Sequence, residues 1–329
     1  LLVRRGDDVT KRKQILETWS NINLDPNSPN FAEKIIGSQY NIFQGAGTND
    51  IYIQPSGSYP NKSKYIRVAV LQSTPDYLNE NGNIRDNALS ASIPQLQSGS
   101  FHGGVGGSTI NSLIGYSHPM KFYNNITATN IQGLAISRTA STSSKQRYLD
   151  ALTLLNNQDE YDFNLLFTPG VISSQADHTT VAAKAIDVCE DRGDAFYVTD
   201  PTLYGSTVST ATTEAEARDS NYAALYWPWI QVADTALGRN VWVPPSVVIP
   251  GIYAFNDKVA HPWFAPAGLN RGGIDVAIQA ERKLTHSNRD TLYDSNVNPV
   301  ATFPGQGVVV WGQKTLQKKA SALDRINVR

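Results

Sequence analysis

The feature that most constrains the fold is a strand–helix–strand succession in the middle of the chain. Phe163-Asn164-Leu165-Leu166-Phe167 is a short apolar run ending at Pro169-Gly170. A helical pattern follows, with Val181, Ala185, Val188 and Cys189 on one face, Asp177 placed to cap it and Gly193 placed to stop it. Ala195-Phe196-Tyr197-Val198-Thr199 is the next strand. Two strands joined by a helix of this length pair in parallel, and parallel pairs sit in sheets covered by helices. A preceding helix is expected from Ser144, with Tyr148, Leu152 and Leu155 at helical spacing. Further strands are expected at Ala223 to Val232, rich in large aromatics, and at Val308 to Trp311, entered through the turn Pro304-Gly305-Gln306-Gly307.

The first half reads differently. Ile51-Tyr52-Ile53 and Tyr65 to Leu71 are short β-type runs, with the turn formers Pro55 to Asn61 between them. Asp8 to Ser20 is a polar stretch suited to a short helix or a linker, and Ser98 to Ser108 holds five glycines and reads as a long loop. The expected architecture is α+β multidomain. A β-rich mixed domain with long loops spans 1–160, and an α/β domain with a mixed sheet flanked by helices spans 161–329. The boundary is placed near Asp159-Glu160.

The chain has 329 residues, enough for two cores. Its net charge is −1 and only 17% of residues are charged, which argues against a globally basic nucleic-acid binder and a highly charged disordered chain. No apolar run approaches the roughly 18 residues of a membrane helix. A single cysteine, Cys189, rules out an internal disulfide and a thiolate-rich metal site. The chain opens Leu1-Leu2-Val3 without Met, and Ile326 to Arg329 reads as the start of a strand, so a longer protein is expected.

Catalytic signatures fail. None of the five histidines opens His-Glu-x-x-His, and there is no Gly-x-Ser-x-Gly elbow. Gly103 to Thr109 lacks the lysine of a phosphate loop and reads as a flexible surface loop, and Gly45 to Asp50 enters a strand rather than a helix and reads as a turn. Arg-Gly-Asp occurs at Arg5-Gly6-Asp7 and Arg192-Gly193-Asp194, where Gly193 is explained as a helix stop. Asn61-Lys62-Ser63 and Asn125-Ile126-Thr127 match glycosylation sequons without a secretory signal. Asp159, Glu160 and Asp162 read as a solvated connection. Cys189 reads as core, with no cation in its helical register to activate it. Tyr222, Tyr226, Trp227 and Trp229 read as core plus interface, with a stacking surface as the rival. Residues 150–200 hold ten acids against Lys184 and Arg192, whereas 313–329 hold five bases against Asp324, a segregation suited to self-association. No catalytic, cofactor-binding or metal-binding residue is assigned, and no cofactor is expected.

From residue 221 onward the chain resembles the tail sheath proteins of contractile-tailed bacteriophages, most closely the T-even type. Tyr222-Ala223-Ala224-Leu225-Tyr226-Trp227-Pro228-Trp229 looks like the family's aromatic strand. Val243-Pro244-Pro245-Ser246 with Gly251, Ala254 and Asp257 looks like its next helix. Trp263 with Ala265-Pro266-Ala267-Gly268 matches its following loop. Asn296 to Pro299, Gly305 to Gly312, Thr315 and Leu316 match its hairpin, and Ile326-Asn327-Val328-Arg329 matches the opening of its next strand. Weaker echoes lie at Gly47 to Ile51 and at Phe101 with the glycines after it. Lys314 stands where the family usually has Arg, and Phe264 where it often has Lys. Ser246 is placed to cap a helix with Pro250 in its first turn, Gly251 and Ala254 to allow close packing, and Ala265 to Gly268 to form a rigid exposed turn.

The resemblance implies a structural, non-enzymatic subunit. Its copies would form six-fold rings in a helical cylinder around a tail tube and contract to drive the tube through the host envelope. Implied partners are further sheath subunits, the tail tube protein, and baseplate and tail terminator proteins, with no direct nucleic-acid contact and no membrane insertion. The implied location is the virion tail, after assembly in the host cytoplasm. It also implies that subunits are joined by terminal strands lent to a neighbour, so 1–329 alone is expected to stay monomeric. The rival readings are a carbohydrate- or receptor-binding virion module and an α/β hydrolase-like enzyme.

Overall fold

The computed structural model describes residues 1–5, 13–45, 47, 51–70, 126–131, 134–136, 144–235 and 239–328. The loop expected at 98–108, the glycine run 103–109, Phe101, Asn125, and Gly6 and Asp7 lie outside the described residues. The chain divides into two compact units, Leu1–Pro119 and Met120–Arg329. The expected boundary near 160 falls inside the second of them.

In the first unit, β1 (Leu2–Arg4) pairs antiparallel with β2 (Ile15–Thr18). Residues 15–18, expected in a helix or linker, are therefore strand. Thr18, Glu17 and Ile15 find ladder partners in Leu2, Val3 and Arg4, with the register shifting between Val3 and Arg4. A short helix, α1 (Ala32–Ile36), leads to the hairpin of β3 (Tyr40–Gln44) and β4 (Tyr52–Ser56). Gly45 and Gly47 take positive φ in its connection, as the turn reading of that segment required. Of the strand expected from Tyr65 to Leu71, residues 65–70 form no ladder among the described residues. They and the residues just before them are held at single points instead: Lys62 N donates to Ile36 O, Lys64 N to a Glu17 carboxylate oxygen, and Val68 N to Gly37 O. Gly37 is obligatory there, because its φ is 108° and a Cβ would lie 2.3 Å from the Asn61 Cα.

The second unit begins with β5 (Asn130–Ile131) and β6 (Leu134–Ala135), followed by α2 (Ser144–Leu155). Then come β7 (Leu165–Ile172), α3 (Thr179–Arg192) and β8 (Phe196–Asp200). β7 and β8 are parallel, so the expected crossover is present. β7 runs on through Pro169-Gly170, where it was expected to end. Its register shifts between Phe167 and Ile172, and as the outermost strand it tolerates a proline that cannot donate to a ladder. α3 starts at Thr179 with His178 rather than Asp177 at the cap position. The His178 Nδ1 accepts from Ile172 N at 3.0 Å, fastening the helix entry to the strand end.

Gly193 stops α3 in the left-handed conformation, φ 72°, with its N–H on the Cys189 carbonyl. A Cβ there would meet only the Tyr222 hydroxyl at 3.6 Å, an ordinary contact. Gly193→Ala is therefore expected to lose about 1–2 kcal/mol from backbone strain alone. A denaturant titration measures it, and an unchanged midpoint would show that the turn relaxes freely.

After α4 (Val208–Glu216), the expected long aromatic strand is two strands. β9 (Ala223–Trp227) and β10 (Ile230–Asp234) are separated at a cis Trp227–Pro228 bond and belong to different sheets. β11 (Arg239–Val243), α5 (Ile249–Val259), β12 (Ala277–Ala280), α6 (His286–Asp294), β13 (Val297–Phe303) and β14 (Gly307–Val310) complete the unit. The main sheet has the order β14-β13-β9-β8-β7, parallel except for the β13–β14 hairpin. The small sheet β11-β10-β12 is antiparallel. The second unit is thus a mixed sheet flanked by helices.

Strand alternation sorts the core. Ala223, Leu225 and Trp227 of β9 join Tyr197, Val181, Ala185, Cys189, Ala211 and Leu292 on one face. Ala224 and Tyr226 join Phe196, Val198, Ile249, Ile252, Tyr253, Val300 and Val310 on the other. Both sets of β9 side chains are buried because a central strand of a sheet covered on both faces has no wet side. Among the described residues, no helix is long and apolar enough to cross a membrane.

Candidate functional site

In open α/β sheets, ligands bind outside the carboxyl ends of the parallel strands. Here that place is filled by the chain itself. Trp227 Nε1 donates to the Thr202 hydroxyl at 3.1 Å, and Trp229 Nε1 donates to the Thr202 carbonyl at 2.9 Å; both rings are 1% exposed. Asp200, at the end of β8, is buried and accepts from Ser246 N at 3.0 Å and from the Ser246 hydroxyl at 2.6 Å. Burial pushes the Asp200 carboxyl up to about 7, against the opposing effect of the Ser246 hydrogen bonds. Ser246 therefore does not cap a helix: it lies in a 3-10 turn, Pro245–Val247, and ties that turn to the sheet. α5 follows with Pro250 in its first turn, as expected. Gly251 and Ala254 are exposed, with open space beside Gly251, so the close packing expected of them is not made among the described residues.

The hairpin is locked by Asn298, fully buried on β13. Its Nδ2 donates to Lys314 O at 2.8 Å and its Oδ1 accepts from Lys314 N at 2.7 Å. The turn at 265–268, expected to be exposed, lies along β14. Pro266 is buried, and Gly268 N donates to Val310 O. Gly272 lies as close, since a Cβ there would meet Val310 O at 2.6 Å. Residues 326–328 form a 3-10 turn rather than a strand, with Ile326 buried and its N–H on Gln313 O.

The residues weighed for chemistry are placed as follows. Cys189 is fully buried and burial pushes its thiol up to about 12. Arg192, one helical turn on, opposes that shift, so a cation does stand in its register, but desolvation outweighs it. Arg192 is itself buried. It donates to Leu155 O, to Tyr161 O and through two nitrogens to Asp194, and it lies 4.2 Å from the centre of the Phe163 ring. The second Arg-Gly-Asp is therefore a structural clamp and not a presented tripeptide. Tyr226, Trp227 and Trp229 are buried and Tyr222 half-buried, which removes the exposed stacking surface. Asp159, Glu160 and Asp162 are exposed in the connection before β7. Three of the ten acids in 150–200, Asp150, Asp177 and Asp200, are buried, so the acidic surface is smaller than the sequence count. Lys318 and Lys319 are exposed. Among the described residues, no group of three or more His, Cys, Asp or Glu side chains could hold a metal ion. No local pattern announces the Asp200–Ser246 and Asn298–Lys314 pairs, since the partners are 46 and 16 residues apart and meet only through the folded sheet.

The family model of the phage tail sheath protein central domain matches residues 142–316, more than half of the chain. The chain belongs to the phage tail sheath protein family. It is 44% identical over 111 residues to the tail sheath protein of Vibrio phage KVP40, covering 34% of this chain and 16% of that relative. It is 39% identical over 110 residues to the tail sheath protein of Enterobacteria phage T4, covering 33% of this chain and 17% of that relative. The match thus spans about a sixth of each of these two sheath proteins. A sheath complex of an extracellular contractile injection system in the contracted state aligns with a TM-score of 0.43 and 25% identity over 56% of this chain and 52% of that one. The hydrogen-bonded pairs of this sheath-family chain, Asn298–Lys314 and Asp200–Ser246, both fall within the matched span.

Proposed function

We propose that this chain is part of a structural subunit of a contractile tail sheath. The full-length protein polymerises as six-fold rings in a helical cylinder around a tail tube, and its contraction drives the tube through the host envelope. The observation that carries this reading is the sheath-family match over 142–316, which lies on the mixed-sheet unit. The side chains within that span support it, because they do scaffold work: Trp227, Trp229, Ser246 and Asn298 close the unit on itself. On this reading the chain catalyses nothing and takes no cofactor or nucleotide. Its partners are other sheath subunits, the tail tube protein, and baseplate and terminator proteins; it neither binds nucleic acid nor enters a membrane. It is assembled in the host cytoplasm and resides in the virion tail. Contraction is a rigid-body rearrangement of subunits, with the energy held in the extended lattice.

Electron microscopy of the purified full-length protein tests this directly. Tubes with a helical repeat and six-fold symmetry are the expected result. A monodisperse protein that forms no polymer with or without its tube, or one that turns over a substrate, would overturn it.

A further inference from the structure

A cavity of about 280 Å³ opens at the amino ends of β7 and β8, opposite the edge where an α/β enzyme holds its ligand. Its walls include Phe196, Tyr253 and Pro266, and its polar rim includes Asp194, Asn256 and Asp257. Among the residues lining it there are two carboxylates and no Lys, Arg or His. Asp194 is already held by Arg192. The Asp257 side chain is exposed, and its carboxylate makes no hydrogen bond or ion pair among the described residues. Asn256 is 2% exposed, donates from Nδ2 to Phe264 O at 3.1 Å, and leaves its Oδ1 without a hydrogen-bond partner among the described residues. A buried amide oxygen in that state is a cost that an entering donor relieves.

We propose that this cavity receives a basic side chain: an alkylammonium or alkylguanidinium group on an apolar stem. The aromatic and proline walls suit the methylene stem, as such side chains bury their stems and keep the charge at a polar rim. The cation faces the uncompensated Asp257, and its N–H groups offer the donors that the Asn256 oxygen lacks. This chemistry is independent of the sheath reading; only the source of the side chain touches on it.

The test titrates the chain with agmatine and with n-butylammonium, against n-pentanol as the neutral probe, following backbone amide shifts of Asp194, Asn256 and Asp257 by NMR. Saturable shifts with the cations and none with the alcohol are expected. Asp257→Asn, an exposed change that leaves the core intact, is expected to weaken the cations by roughly threefold to fivefold. Equal binding of the alcohol, no saturable binding, or cation binding unaffected by Asp257→Asn would each overturn the proposal. The full-length protein identifies the source. Sites already closed to agmatine in its monomer assign the side chain to the same polypeptide; sites that close on polymerisation assign it to a second copy. Sites open in both states would overturn the proposal that a protein side chain is the occupant. Failure to polymerise would count against the sheath reading and leave the probe titration of the chain unaffected.

Discussion

Trp227→Ala is expected to remove about 3–5 kcal/mol of stability, a large fraction of the 5–15 kcal/mol typical of a folded domain. Trp227 ends β9, the middle strand of the five, and packs among Leu225, Tyr197 and Val297 on the helix-covered face. Truncation opens a cavity under α4 and α6 and leaves the buried Thr202 hydroxyl without the indole N–H it receives at 3.1 Å. It also removes the ring beneath Arg282, whose guanidinium carbon lies 5.8 Å from its centre. Urea unfolding measures the loss as a lower midpoint at unchanged slope. Trp227→Phe separates the contributions: it keeps most of the packing and loses only the hydrogen bond, so about 1–2 kcal/mol is expected. Equal losses for both variants would place the whole effect in the hydrogen bond.

This residue also shows what a sequence can reveal. The crossover from β7 to β8 was legible because its signals are local: an apolar run, a helical period, a glycine stop at Gly193 and a second apolar run. The helix from Ser144 was legible for the same reason. The aromatic run Ala223 to Val232 reads as one element because all of it but Pro228 and Gln231 is apolar or aromatic; Pro228 is the local sign that β9 ends at Trp227, whereas the change of sheet beyond it is set by pairing with distant strands. Residues 65–70 have strand-type composition but no partner ladder among the described residues, and pairing is a property of the whole fold. The family could be recognised from blocks such as Val243 to Ser246 and Gly305 to Gly312. What those residues do could not. Ser246 looked like a helix cap, and only the placement of β8 beside the 3-10 turn shows that its hydroxyl is committed to Asp200. Asp200 looked like one more surface acid until the sheet buried it.

That burial makes stability depend on pH in an unusual direction. An exposed aspartate ionises near 3.8, whereas Asp200 in the folded chain is pushed up to about 7. The folded state therefore holds this proton to higher pH than the unfolded chain does. Below about 4 both states are protonated and Asp200 adds no slope; above about 7 both are ionised and again it adds none. Between those limits the unfolded chain releases the proton first, so stability falls as pH rises. About three pH units at 1.36 kcal/mol each make the full loss on the order of 4 kcal/mol. Glu281, raised by burial, tilts the curve the same way, and His178, lowered by burial, tilts it the other way. The contribution of Asp200 is therefore read by difference. Asp200→Asn keeps an oxygen for Ser246 N and a nitrogen that the Ser246 hydroxyl oxygen can accept from, without a titrating charge. Unfolding free energies of the parent and of this variant, measured from pH 4 to pH 8, are expected to diverge by a few kcal/mol, with the variant relatively more stable at the alkaline end. Ser246→Ala is expected to widen the alkaline loss by about 1.5–3 kcal/mol, because it strips a donor from the ionised carboxylate. Parallel curves for the parent and Asp200→Asn across this range would show that the folded chain solvates the Asp200 carboxylate as well as water does, and that the bond to Ser246 carries no burial penalty.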